Sequence, residues 1–220
     1  AGTGVGKSLF MCHCASAYLA QGLNVLYITL EMAEERIAER IDANLLDTTI
    51  DDLHALPKDL YDSKILKVKN KTNGQLIIKE YPTASAHSGH FRALFNELAL
   101  KKSFRPDVVF VDYLNICASA RFKGGNISSY FYIKAIAEEL RGLAVEFNVP
   151  IFSATQTTRT GFVSTDIGLE DTSESFGLPA TADFMFALMS NEELEQLGQM
   201  KVKQLKNRYN DPAMNRSFIV

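Results

Sequence analysis

The sequence predicts an α/β fold with a mostly parallel central sheet and helices on both faces. Three observations carry that expectation. Short β-branched or aromatic runs alternate with amphipathic helical stretches. The first residues form a glycine-rich loop that runs straight into a helical segment. Polar residues with chemical potential stand just after apolar runs, where strands of such a sheet end and its ligands bind. With 220 residues, 46% hydrophobic and 22% charged, the chain suits one domain with a substantial core.

The elements follow in order. Residues 9–21 are helical in character and stop at Gly22. Residues 24–29 are a short buried strand. Residues 33–46 form a charged amphipathic helix with Ile37, Ile41 and Leu45 spaced by four. A polar helical stretch over 49–70 is interrupted near Pro57. Asn73-Gly74 marks a turn before a strand over 75–81 that ends at Pro82. Ser88 is the expected cap of a helix reaching about Lys101, with Phe91, Leu94, Phe95 and Leu98 on its apolar face. Val108-Val109-Phe110-Val111-Asp112 reads as a central strand, 128–147 as a helix and 150–154 as another central strand. A polar loop covers 157–173. Later strands are expected over 183–188, 200–209 and 216–220, with at most a short helix between the first two. No internal repeat, low-complexity tract or interdomain linker is visible.

Composition narrows the function classes. There is no run of some 18 apolar residues that would cross a membrane, and no basic-then-apolar leader pattern. The formal net charge of −3 gives no domain-wide attraction to nucleic acid, so any such contact must come from local basic loops. Cys12, Cys14 and Cys117 are too few and odd in number for a disulfide framework, which favours a reducing compartment. Cys12-His13-Cys14 resembles a metal box, but neighbours in a helix do not share a face. His87 and His90 could share one, with no further ligand in sight.

Ala1-Gly2-Thr3-Gly4-Val5-Gly6-Lys7-Ser8 fits the phosphate-loop pattern G-x-x-x-x-G-K-[ST], with alanine at its first position. Glycines let the backbone wrap phosphates with its N–H groups pointing inward. Lys7 supplies a point charge to the β- and γ-phosphates, and the Ser8 hydroxyl is a ligand for Mg²⁺. Residues Ala1 to Leu9 are therefore the expected ATP contacts. Such a loop follows a strand, so the chain reads as one domain over 1–220 of a longer protein, without its first core strand.

Asp112 closes an apolar run, as a Walker B carboxylate that holds Mg²⁺ directly or through water does. Glu31, two residues past the first strand, is placed to orient or deprotonate the attacking water. Gln156, past the strand over 150–154, could sense the γ-phosphate and relay its loss to the loop that follows. Plainer roles exist for each: a helix-capping aspartate, a solvated glutamate in a first helical turn, and a simple loop glutamine.

Taken with Leu30-Glu31-Met32, Val111-Asp112-Tyr113-Leu114, Gln156 and Lys206-Asn207-Arg208, the phosphate loop resembles that of the DnaB-type hexameric helicases. The wording is closest to the replicative helicases of T-even-like bacteriophages, notably at 31–35, 40–44, 134–141 and 177–184. The resemblance covers nearly the whole chain and implies a RecA-like P-loop NTPase fold. It implies that Glu31 is the catalytic glutamate, supported by Lys7 and Gln156. It also implies that Lys206 and Arg208 form a Lys-x-Arg motif, with Arg208 reaching a neighbouring subunit's ATP in a hexameric ring. DNA contacts would come from two channel loops, one with Arg121 and Lys123, the other with Arg159. The second loop also carries Asp166, Glu170 and Asp171, which weakens its electrostatic case; solvated surface connections are the plainer reading of both. The implied activity is ATP-driven unwinding, 5′-to-3′ on single-stranded DNA, with primase and a helicase loader as partners, in a host cytoplasm. The family's N-terminal domain is not in this sequence. Two other readings share the P-loop: a RecA-fold recombinase or clock-type kinase, and a nucleotide-switched scaffold that does not hydrolyse ATP. Retention of Glu31 beside Lys7, Ser8 and Asp112 speaks against the scaffold.

Overall fold

The computed structural model describes residues 4–122, 127–157, 168–169, 177–211 and 213–220. The chain runs from α1 (Lys7–Ala20) through β1 (Val25–Thr29), α2 (Glu34–Leu45), α3 (Ile50–Ala55), α4 (Lys58–Lys69) and β2 (Leu76–Glu80). It continues through α5 (Ser88–Lys102), β3 (Val108–Asp112), α6 (Ser129–Phe147) and β4 (Ile151–Ser153). These four strands form a parallel sheet in the order β2-β1-β3-β4. Helices cover both of its faces, so β1 and β3 are buried along their whole length. That is why they read as continuous apolar runs and not as alternating ones.

Successive side chains of a strand go to opposite faces. Val25 and Tyr27 of β1, with Val108 and Phe110 of β3, pack under α1 and α2 against Met11, Cys12, Ile37 and Ile41. Leu26, Ile28, Val109 and Val111 point the other way, into α5 and α6. Pro57 separates α3 from α4, as its lack of a backbone donor requires.

The expected cap of α5 moves by one residue. His87 is the N-cap: its Nδ1 accepts from the Gly89 N–H at 3.0 Å, while His90 Nδ1 accepts from the His87 N–H at 3.2 Å. The two histidines thus make a capping box. Ser88 instead donates to Glu139 Oε2 at 2.8 Å, tying α5 to α6.

The last third departs from a single parallel sheet. After α7 (Gly177–Thr181), β5 (Phe184–Met189), β6 (Lys201–Asn207) and β7 (Ser217–Ile219) form a separate antiparallel sheet in sequence order. The links explain it. β5 and β6 are joined through one short helix, α8 (Glu192–Gln196), and a parallel return needs a longer crossover. No periodic pattern in the sequence announces α7, which is five residues long with Pro179 inside it.

β4 and β5 are edge strands of the two sheets. Between them lies an apolar cleft of about 650 Å³ lined by Phe10, Tyr18, Phe110, Phe152, Phe186 and Leu188. Lys7 and Gln156 stand in its wall, but this aromatic lining does not suit a triphosphate.

The core should respond as a packed solid. Leu143→Ala on α6, at a fully buried site, is expected to cost about 2–5 kcal/mol. Leu100→Ala, at an 85% exposed site on α5, should change stability by less than about 0.5 kcal/mol. Chemical denaturation of the two variants checks the contrast.

Candidate active site

The parallel register brings the strand tips together. Thr29 pairs with Asp112 and Val111 with Ser153. Backbone bonds continue the alignment past the strands, from Leu30 N–H to Asp112 O at 2.9 Å and from Leu114 N–H to Ala154 O at 3.1 Å. Glu31, Asp112 and Gln156 therefore emerge along one edge of the sheet. The Thr29 hydroxyl shapes the first of these turns. It donates to Met32 O at 2.8 Å and accepts from the Met32 N–H at 3.1 Å, which presents Glu31 to solvent.

The phosphate loop meets the same edge. Gly4 and Gly6 have φ of 82° and 94°, values that disfavour any residue with a Cβ. Gly6 is also the N-cap of α1 and no side chain caps that end, so the first helical turn offers an anion site beside Lys7 and Ser8. Lys7 is half-buried. Burial lowers its pKa from the usual lysine value, while the Glu31 and Asp112 carboxylates act against that shift. Both expected carboxylates thus act electrostatically on the expected phosphate-binding ammonium. Ala1, Gly2 and Thr3 lie outside the described residues, and Leu9 is exposed on α1.

Asp112 has no exposed surface. Its Oδ2 accepts from the Tyr27 hydroxyl at 2.9 Å. Among the described residues no donor reaches Oδ1. A buried carboxylate oxygen without a donor is a hard anionic acceptor, which fits a divalent cation or its bound water. Ser8, half-buried in the first turn of α1, adds the hydroxyl such a cation takes in P-loop proteins. Burial and the Asp112 charge push the Tyr27 phenol far above its usual pKa, so it stays protonated and donates. The Cys12 thiol, raised by burial to about 11, lies 3.9 Å from the Tyr27 oxygen. His13 turns away to Asn44, at 2.9 Å.

Tyr113 joins the two remaining parts. Lys7 Nζ lies 5.8 Å from its ring centroid, and Gln156 Nε2 donates to its hydroxyl at 3.1 Å. Sequence reasoning assigned no role to either tyrosine. A tyrosine in or beside a buried strand reads as packing, and only the side-chain partner shows otherwise.

Lys206 and Arg208 are not brought to this edge. Arg208 Nη2 donates to Ala180 O at 3.1 Å and its Nη1 pairs with Asp183 Oδ1 at 3.0 Å. Asp183 also pairs with Arg141, and Lys206 donates to Pro179 O within α7. Burial, then the Arg208 charge, lowers the Lys206 pKa. The other end of β6 touches the phosphate loop, where Met200 Cε stands 3.2 Å from the position of a Cβ on Gly6. Arg208 lies eight residues further on, roughly 25 Å away for extended chain.

Of the expected DNA contacts, Lys123 and Arg159 lie outside the described residues. Arg121 is exposed and pairs with Glu138. The backbone there is held by Glu139, which accepts from Ser119 Oγ at 2.7 Å and from the Ala120 N–H at 3.0 Å. Burial pushes the Glu139 pKa up, but these bonds and Ser88 outweigh it and hold the carboxyl below its usual range. Among the described residues no cluster of three or more metal-ligating His, Cys, Asp or Glu side chains occurs.

Residues 1–211 match the DnaB-like helicase C terminal domain family. A DnaB-like replicative helicase of Enterobacteria phage T4 is 48% identical over 223 residues, covering 100% of this chain and 47% of that protein. A probable plasmid replicative DNA helicase of Chlamydia psittaci is 30% identical over 159 residues, covering 70% of this chain and 33% of that protein. The chain thus spans half or less of the length of these relatives. A solved ATPase domain shares the fold with a TM-score of 0.78 at 19% identity, covering 100% of this chain and 77% of that one. A DnaB-like replicative helicase solved in a study of its interactions with primase gives 0.77 at 19% identity, covering 100% and 52%. By its sequence, this chain belongs to the DnaB-like helicase C terminal domain family.

Proposed function

We propose that this chain is the ATPase motor of a hexameric replicative DNA helicase that moves on single-stranded DNA, 5′-to-3′, and unwinds the duplex ahead. One observation carries the reading: Lys7, Glu31, Asp112 and Gln156 converge on one sheet edge in a chain of this family. A recombinase or clock-type kinase would share that edge, but the family match and the replicative relatives favour the helicase.

The chain's own groups divide the work. The phosphate loop and Lys7 bind the triphosphate, displacing the ammonium from the Tyr113 face. Ser8 and Asp112 would hold magnesium, which supplies charge neutralisation across the β- and γ-phosphates. Glu31, exposed beside Lys7, orients the attacking water and takes its proton. Gln156, hydrogen-bonded to Tyr113, reports the γ-phosphate to the loop beyond it. Arg208, about 25 Å along the chain from its own phosphate loop, serves a neighbouring subunit together with Lys206. Its partners Ala180 and Asp183 are half-exposed or exposed and can be exchanged for phosphate oxygens. Arg121 and Lys123, with Arg159 on the second loop, contact the strand drawn through the ring.

The cleft between β4 and β5, flanked by two sheet edges, supports a further domain-level reading. It has the two open edges that one more strand would need, and a phosphate loop in this kind of sheet follows a strand. Primase is the proposed partner, as in the solved DnaB-like helicase studied with it, together with a helicase loader. The proposed setting is the host cytoplasm; among the described residues no helix is long and apolar enough to cross a membrane.

Four outcomes test the reading in the full-length protein. Glu31→Gln should lower DNA-stimulated ATP hydrolysis by about 10²–10⁴-fold with nucleotide still bound; turnover indifferent to DNA in the parent protein would point to another RecA-fold ATPase. Arg208→Ala should lower turnover by about 10³-fold or more with nucleotide affinity nearly intact. Mixed rings of the two inactive variants should recover part of the activity, and no recovery would remove the trans role. Replacing Arg121 and Lys123 with alanine should flatten the salt dependence of single-strand binding by about 0.7 per lost phosphate contact, and an unchanged slope would take that loop out of the DNA path.

A further inference from the structure

We infer that Tyr27 is a positioning residue for the metal-side carboxylate: its hydroxyl fixes the Asp112 side chain so that Oδ1 alone is offered to the nucleotide-bound cation. The inference rests on the reading of Asp112 as a cation ligand. Tyr27 and Asp112 both have no exposed surface, and the hydroxyl donates to Oδ2 at 2.9 Å. Among the described residues Oδ1 has no donor. The two oxygens of one carboxylate are therefore made unequal by a single neighbour.

The backbone explains how a residue one strand away reaches it. In the β1–β3 register Tyr27 pairs with Phe110 and Thr29 with Asp112. Tyr27 and Asp112 lie on the same face, on a diagonal that a long aromatic side chain can span. Phe110 stacks on the Tyr27 ring at 5.6 Å and 14° between planes, so packing there can be altered without removing the hydroxyl. The Cys12 thiol, 3.9 Å from the phenol oxygen, approaches as donor and leaves the phenol proton for Asp112. Cys12 is on α1, the helix that begins at the phosphate loop, so phosphate loop and carboxylate are joined through Tyr27 beneath the site.

A phenylalanine at this position would fill nearly the same volume and donate nothing. The carboxylate would then be free to turn, and both oxygens would compete for the cation and for Lys7. Outer partners of metal ligands typically change metal affinity by about 10–100-fold.

The test is Mn²⁺ binding to the full-length protein with ADP, followed by electron paramagnetic resonance, in four forms: parent, Tyr27→Phe, Asp112→Asn and Phe110→Leu. The inference expects Mn²⁺ affinity about 10-fold weaker in Tyr27→Phe, weaker still in Asp112→Asn, and near parental in Phe110→Leu, which disturbs packing but keeps the hydroxyl. Parental affinity in Tyr27→Phe with a loss in Asp112→Asn would overturn the positioning role and leave the ligand role standing. Parental affinity in both would overturn both. An equal loss in Phe110→Leu and Tyr27→Phe would assign the effect to packing and overturn the inference. Thermal unfolding of Tyr27→Phe checks that it is folded; should it not be, 3-fluorotyrosine at the tyrosine positions of the parent should still perturb the Mn²⁺ signal, and an unchanged signal would overturn the role.

Discussion

A carboxylate with no exposed surface is costly unless the protein replaces the water it has lost. Asp112 is such a group, and much of the domain is arranged around it. The Tyr27 hydroxyl replaces one water. The half-buried Lys7 supplies opposite charge from the phosphate loop. The carboxylate is also fixed from behind, because β3 is buried throughout and its last residue is registered against Thr29 and bonded through its carbonyl to Leu30. What remains uncompensated is Oδ1, on the side where a cation would sit. The same alignment that buries Asp112 delivers Glu31 and Gln156 beside it.

Much of this was legible in the sequence, for a physical reason. A strand buried on both faces has to be apolar throughout, so β1 and β3 stood out, and the polar residue that follows such a run must lie at a sheet edge. The phosphate loop was legible because few backbones other than glycine tolerate φ near 90° at Gly4 and Gly6. Less legible were features that depend on distant partners. Tyr27 looked like core until its hydroxyl met a residue 85 positions later. Ser88 and His87 are both able to cap, and the choice was decided by Glu139, which takes the serine hydroxyl from across the α5–α6 interface. The antiparallel turn of the last strands was set by connection length, which strand signals do not encode.

Charged clasps hold the two regions proposed to meet partners. Asp183 gathers Arg141 and Arg208 beneath α7, and Glu139 gathers the backbone leading to Arg121 while Glu138 takes its guanidinium. The arrangements differ in exposure. Glu139 is half-buried and satisfied by neutral donors, so it sets the loop base firmly. The Arg121 and Arg208 ion pairs are half-exposed, and pairs of that kind are weak enough to be traded for a phosphate.

The contact between Met200 and Gly6 has a mechanical consequence. β6 begins against its own phosphate loop and ends at Lys206 and Arg208, with β5 and β7 bonded along its sides. A strand braced on both edges transmits a push along its length better than it bends. In a ring where Arg208 enters the adjoining site, a small displacement at one subunit's glycine would arrive, roughly 25 Å away, at the next subunit's triphosphate. Each protomer would then be a strut with an inlet and an outlet, and such struts laid head to tail around a circle give the circuit a direction that no single site possesses.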